Sequence, residues 1–263
     1  MLNKIWLLAL LCLQPLSGLA LEKDALDAAM QAKGLRQSSE FTGIAAIAQN
    51  GQLVWHFAGT SHSSPAVSGE QPNGMRRTML DNFTLASQSK QITATLVLQA
   101  IEQQKLSLDT PLSQVLPARA ALFAEPILIR HLLSHSAGLV SLDKPLQSKP
   151  GSQFAYSNAG YDLLGEVLSA VYQRPYASVA NDLFAKCQLL NTVVPTTELP
   201  TSKVARLVPG FIEQAGQLQP ATLDVNDQYA ASGRIVSSAS DLLKFMHCLH
   251  ETPLLNANSH QQM

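Results

Sequence analysis

Residues 84–109 read "TLASQSKQITATLVLQAIEQQKLSLD". Ser87 and Lys90 stand three apart and lead into an apolar run that contains neither glycine nor proline. Ala94, Val97, Leu98 and Ile101 recur at helical spacing as one stripe, and Ile92 and Leu96 add a second. The pattern predicts a helix from Ser87 to about Gln104, apolar most of the way round and therefore buried. At i, i+3 on such a helix, Ser87 Oγ and Lys90 Nζ face the same way and can meet. The helix N-terminus adds partial positive charge and free N–H groups where an oxyanion would form. A lysine in a partly desolvated site either loses its easy protonation or serves as a cation beside a base. Ser87 as a plain N-cap accounts for the serine and leaves the lysine unexplained.

The spacing alone is weak, because a serine-rich chain of this length supplies about one S-x-x-K match by chance. A second match does occur, Ser141 and Lys144 in "VSLDKP". It lies between Gly138 and Pro145, where no helix can fix the pair on one face. A further constellation favours the first match. "PGSQFAYSNAGYDLLGEVLSAVYQRPY" (150–176) carries Tyr156 and Asn158 two apart in a short extended stretch, so alternation sends both side chains to one side. The apolar positions Leu163, Leu164, Val167, Leu168 and Val171 then place the pair at the mouth of a helix. A phenol beside an ammonium has a lowered pKa and can act as a base, while an amide can hold a substrate carbonyl. For Tyr156 taken alone, a core tyrosine with a backbone partner is the simpler reading.

Composition bounds the rest. The 263 residues suffice for one large domain or two small ones, and a net charge of -1 with 14% charged residues gives no basic footprint for nucleic acid. "MLNK", the apolar "IWLLALLCL" and the small residues Gly18 and Ala20 describe a signal peptide over 1–20, leaving 21–263 as the mature domain. The run is too short to span a bilayer, so no stable membrane span is expected after its removal. Cys187 and Cys248 then remain; in an oxidising compartment they can pair, but spacing does not place them in contact. His247 and His250 flank Cys248 on an ordinary helix pattern. His131 and His135 have the i, i+4 spacing of a metal pair but lack the glutamate of H-E-x-x-H. Their better reading is the last turn of a helix ended by Gly138, where the dipole favours histidine.

Outward from these motifs, "EKDALDAAMQAKGL" predicts an amphipathic helix, and Asn50-Gly51 inside "GIAAIAQNGQLVWHFAG" predicts a hairpin. Residues 61–83 and 143–152 read as loops, and mostly helix and loop follow to about residue 225. "GRIVSSASDLLKFMHCLHE" predicts a short strand and a helix capped by Ser238 and Asp241. Two early strands, helices between and one late strand suggest a sheet layer with a helical insertion.

Five ordered blocks carry a resemblance: "LASQSKQ" with "KLSLDTPLSQVLP", then "LIRHLLSHSAGL", "GSQFAYSNAGYDLLGEVL" and "ASGRIVSSASDLLKF". From about Gly43 to the end the chain resembles the serine β-lactamase and penicillin-binding superfamily. The likeness is greatest to its class C-type branch of β-lactamases, D-stereospecific peptidases and esterases. The resemblance implies an α+β fold of the β-lactamase/transpeptidase type, with an antiparallel sheet flanked by helices and a mainly helical region. It implies a periplasmic or secreted serine acyl-hydrolase that takes a small-molecule or peptide substrate (β-lactam, D-peptide or ester) and needs no metal or organic cofactor. Ser87 is then the acylated nucleophile, Lys90 its electrostatic and proton-transfer partner, Tyr156 the general base and Asn158 a substrate ligand. Whether Tyr156 or Lys90 takes the proton stays open on the residues alone.

Two departures accompany the resemblance. "KCQLLN" (186–191) stands where the family has a Pro-Leu-Gly-Met-like run, so that loop should differ. No Lys-Thr-Gly or His-x-Gly element follows Asn158 within the 263 residues. The resulting expectation is a C-terminally truncated member with an incomplete sheet, lacking a strand that pairs with the hairpin at 43–59, marginally stable and nearly inactive alone. The alternative function is a non-catalytic member that binds a peptidoglycan-like ligand or a partner.

Overall fold

The computed structural model describes residues 25, 27–28, 43–59, 77–214, 217–221 and 229–263. The chain divides into two compact units, Met1–Ser38 and Ser39–Met263. In the first, Ala25, Asp27 and Ala28 are helical, as the amphipathic pattern predicts. The signal-peptide reading of 1–20 and the loop reading of 61–76 lie outside the described residues. Everything below concerns the second unit.

It opens with a hairpin, β1 (Ile44–Gln49) against β2 (Gln52–Ala58), antiparallel with an irregularity between Ile47 and Ala48. Asn50 and Gly51 both take positive φ (51° and 73°), the geometry that a two-residue Asn-Gly turn demands. β3 (Asn82–Thr84) runs into a 3-10 turn, Ala86–Gln88, and then into α1 (Ser89–Glu102). Ser87 thus stands in the tight turn before the α-helix, which opens at Ser89, two residues later than the predicted start. α1 ends in a Schellman arrangement: left-handed Gln104 (φ 57°) donates its N–H to Ile101 O, and Lys105 N–H reaches Ala100 O. Ile92, Leu96, Val97, Leu98 and Ala100 are buried, as are Ser89, Thr93 and Thr95. Those polar side chains are bonded: Thr95 Oγ1 donates to Gln91 O at 2.8 Å, and Thr93 Oγ1 donates to Ala231 O at 2.8 Å and meets Tyr176 Oη at 2.7 Å. A buried hydroxyl left without such a partner would cost about 1–3 kcal/mol.

Two short helices, α2 (Leu112–Val115) and α3 (Pro117–Ala120), and α4 (Ile129–Leu133) lead to α5 (Asn158–Tyr172) and α6 (Tyr176–Lys186). Ser157 caps α5, its Oγ accepting the Gly160 N–H at 2.9 Å. Leu163, Leu164, Val167 and Leu168 are fully buried and pack into one core with α1, α6 and the segment around residue 230. Truncating one of these leucines to alanine should cost about 2–5 kcal/mol. Gly165 matters for a different reason: a Cβ there would lie 2.7 Å from Ala231 Cβ. Its absence lets the turn of π-helix Ala230–Arg234 approach α5 closely.

The region 187–225 departs from the helix-and-loop expectation. It holds an antiparallel ladder, β4 (Gly210–Gln214) with β5 (Gln217–Ala221). β6 (Val236–Ser238) pairs with β3, so the described residues form three two-stranded ladders where the sequence suggested one layer. α7 (Ala239–Glu251) and α8 (Ala257–Gln261) follow. Ser238 Oγ caps α7 through the Asp241 N–H (3.2 Å), as expected. The Asp241 carboxylate does not cap: buried, it accepts from Asn191 N–H (2.6 Å) and Thr192 Oγ1 (3.0 Å) and so ties down the segment that follows α6. Cys187, at the end of α6, is disulfide-bonded to Cys248 in α7. No described helix is long and apolar enough to cross a membrane.

Candidate active site

β3 hydrogen-bonds β6, and Leu85 N–H extends that pairing to Ile235 O at 2.8 Å. The chain then turns sharply at Ala86, whose φ of 48° is left-handed and costs an L-residue about 1 kcal/mol. Ser87 follows this strained residue and is exposed, while Lys90, one turn on, is buried. The serine therefore meets solvent and the lysine meets the core.

Lys90 Nζ is held from three directions. It donates to Ser232 O at 2.6 Å, to Asn158 Oδ1 at 2.8 Å and to Ser87 Oγ at 3.4 Å. Two of these acceptors are carbonyl oxygens that only accept, so two Nζ hydrogens are committed and the third points at Ser87. Ser232 reaches the lysine because Gly165 and the Thr93–Ala231 bond bring the π-turn against α1 and α5. On the other side, Ser87 Oγ and Tyr156 Oη are 2.6 Å apart. The ammonium lies 5.0 Å from the centre of the Tyr156 ring and 5.6 Å from that of Tyr161.

Burial pushes the Tyr156 phenol upward, but polar contact with Lys90, the bond to Ser87 and the lysine's charge outweigh it and hold the pKa below its ordinary value of 10. Tyr161 moves the other way, to about 12, through burial and the nearby Tyr156. Asp162 is pushed up to about 6 by burial, opposed by hydrogen bonds from Ser232 and by the Lys90 charge.

The four residues singled out in the sequence, Ser87, Lys90, Tyr156 and Asn158, therefore meet at one point. Asn158 arrives there as the first residue of α5 and not as part of an extended pair, since extended backbone ends at Ser157 (φ −141°, ψ 119°). The other S-x-x-K match does not form a site: Ser141 and Lys144 span a surface turn in which Lys144 N–H faces Ser141 O at 3.5 Å. His131 and His135 share no helix, because α4 stops at Leu133 and His135 takes φ 54°. His247 packs on Gly51, and His250 faces the His260 ring at 5.1 Å.

His135 is the residue that sequence reasoning missed. Its ring lies 4.6 Å from the Tyr156 ring at a tilt of 30°, and 5.0 Å from Tyr161. The signal was present in Gly138 and Ser134, which break the helix pattern early, but the i, i+4 spacing of the two histidines suggested a helix.

Known proteins resemble this chain over most of its length. A beta-lactamase family profile matches residues 24–263. A probable fimbrial assembly protein FimD, serogroup H1, of Dichelobacter nodosus is 33% identical over 78% of this chain and 56% of its own length. A beta-lactamase of Pseudomonas fluorescens is 26% identical over 81% and 61%. The chain thus spans a little over half the length of these relatives. Among solved structures, EstCE1, a hydrolase with promiscuous acyltransferase activity, superimposes with a TM-score of 0.75 at 23% identity, covering 92% of this chain and 77% of its own. That similarity shows the β-lactamase/transpeptidase-type fold. With its profile match, its relatives and its fold in agreement, the chain belongs to the beta-lactamase family.

Proposed function

We propose that this protein is an exported serine hydrolase that cleaves amide or ester bonds through an acyl-enzyme. The observation that carries the reading is Ser87 Oγ poised between Tyr156 Oη at 2.6 Å and Lys90 Nζ at 3.4 Å, open to solvent on its free side. In this reading Ser87 Oγ attacks the carbonyl carbon and its proton passes to Tyr156. Lys90, fixed by Ser232 O and Asn158, stabilises the phenolate form of that base. The tetrahedral intermediate collapses when the leaving nitrogen or oxygen takes the proton from Tyr156. Water, deprotonated by the resulting Tyr156 phenolate, then attacks the acyl carbon, and Ser87 Oγ leaves with the proton returned by Tyr156. The Asn158 amide nitrogen is left free to bind substrate, because its oxygen serves Lys90. β-Lactams, D-peptides and simple esters all supply the required carbonyl. The Cys187–Cys248 bond and the N-terminal signal pattern support export to an oxidising compartment.

The test uses purified full-length protein with a fluorescent penicillin and a fluorophosphonate. Label should sit on Ser87, vanish in Ser87→Ala and survive Ser141→Ala. Labelling that persists in Ser87→Ala overturns the assignment. For export, N-terminal sequencing of secreted protein should begin at Leu21, and material that still starts at Met1 would contradict it.

A further inference from the structure

His135 holds the backbone on both sides of Tyr156. Its carbonyl oxygen accepts the Ala155 N–H at 2.6 Å, and its ring Nδ1 accepts the Ser157 N–H at 3.1 Å. Between those two anchors its ring lies 4.6 Å from the Tyr156 ring. One residue thus grips positions 155, 156 and 157. It does so from a left-handed backbone (φ 54°), a conformation that a non-glycine residue keeps only where its surroundings impose it. Because Nδ1 accepts, the ring proton sits on Nε2 and the imidazole is neutral.

We infer that His135 is the positioning residue for Tyr156, and that its neutral ring is required to hold the phenol against Ser87. This inference rests on the proposed role of Tyr156. Protonating His135 puts an N–H on Nδ1 facing the Ser157 N–H, donor against donor, and the bond is lost. The titratable and charged groups facing the ring are Lys90 of α1, Tyr156, and Tyr161 of α5; Phe154 packs against its edge at 5.7 Å. Burial, and then the Lys90 charge, push the His135 pKa below 6.5. The sign follows: the grip is intact at neutral pH and is lost as pH falls through that lowered value. Asp162, whose carboxyl titrates at about 6 near Lys90, would give a limb in the same range and has to be separated from it.

The experiment measures the rates of Ser87 acylation by a p-nitrophenyl ester and of Ser87 phosphonylation by a fluorophosphonate from pH 4.5 to 9, in full-length wild type and variants. Wild type should lose rate below pH 6.5. His135→Asn keeps an acceptor near Nδ1 and tolerates left-handed backbone, but it cannot titrate. It should keep rates within about tenfold at pH 7.5 and lose the acid limb, whereas Asp162→Asn should retain that limb. His135→Phe keeps a ring without the acceptor and should slow acylation by about 10²-fold, the scale of a misplaced catalytic group. An acid limb unchanged in His135→Asn, or a His135→Phe rate equal to wild type, overturns the inference. Failure of Ser87 to label in wild type would instead overturn the reading beneath it.

Discussion

The two serine–lysine pairs of this chain have identical spacing and opposite fates. Ser87 and Lys90 lie across a 3-10 turn and the start of a buried helix, with Lys90 7% exposed and bonded to three oxygens. Ser141 and Lys144 lie in a turn with the lysine exposed. A lysine that keeps its water has no reason to organise its neighbours; one taken from water must be paid for with carbonyl and hydroxyl partners. The partners come from α5 and from the turn at 230–234, far away in sequence. A short motif becomes a site only where the fold supplies such partners.

The sharpest way to break this comparison is to delete both lysines separately. Lys90→Ala should slow acylation of Ser87 by about 10³-fold or more, since such groups act as a unit. Lys144→Ala should stay within about twofold, read in the same ester assay. Equal losses would show that burial does not separate the pairs. Next in size is Tyr156→Phe, expected to cost about 10²–10⁴-fold. Its pH profile is informative: in the proposed mechanism the phenolate is the competent base, so wild-type acylation should rise with pH toward a value below 10. The Phe variant should lack that rise. The smallest effect is at Ala86. Its left-handed φ sets the turn before Ser87, and none of the described residues 139–150 beside the second pair is left-handed. Ala86→Gly should raise stability by about 1 kcal/mol, seen as a higher midpoint in urea.

Much of this was legible locally. The hairpin followed from Asn50-Gly51, the buried helix from its two apolar stripes, and the α7 cap from Ser238. What was missed depends on distant partners. The third support of Lys90 is a backbone carbonyl, Ser232 O, 142 residues away, and a carbonyl has no sequence signature. The ladder β4–β5 is short and polar, with a proline at 220, so alternation gives little to detect. The i, i+4 spacing of His131 and His135 implies a shared helix, whereas α4 ends two residues before His135. Asp241 has the place of a capping acid, but the Asn191 backbone N–H and the Thr192 hydroxyl claim its carboxylate.

The Cys187–Cys248 bond has a consequence for that distant carbonyl. Cys187 and Cys248 are 61 positions apart, so the bond closes a covalent ring that contains β4, β5, the 230–234 turn and β6. Ser232 is a member of the ring, whereas Ser87, Lys90, Tyr156 and Asn158 all lie outside it. A chain loop of that size, tied at both ends, gives up about 4 kcal/mol of unfolded-state freedom in the entropic account. The lysine's deepest anchor is thereby carried on a pre-closed lasso fastened to α6 and α7, and an oxidised chain has far fewer places in which Ser232 can be anywhere but beside Lys90.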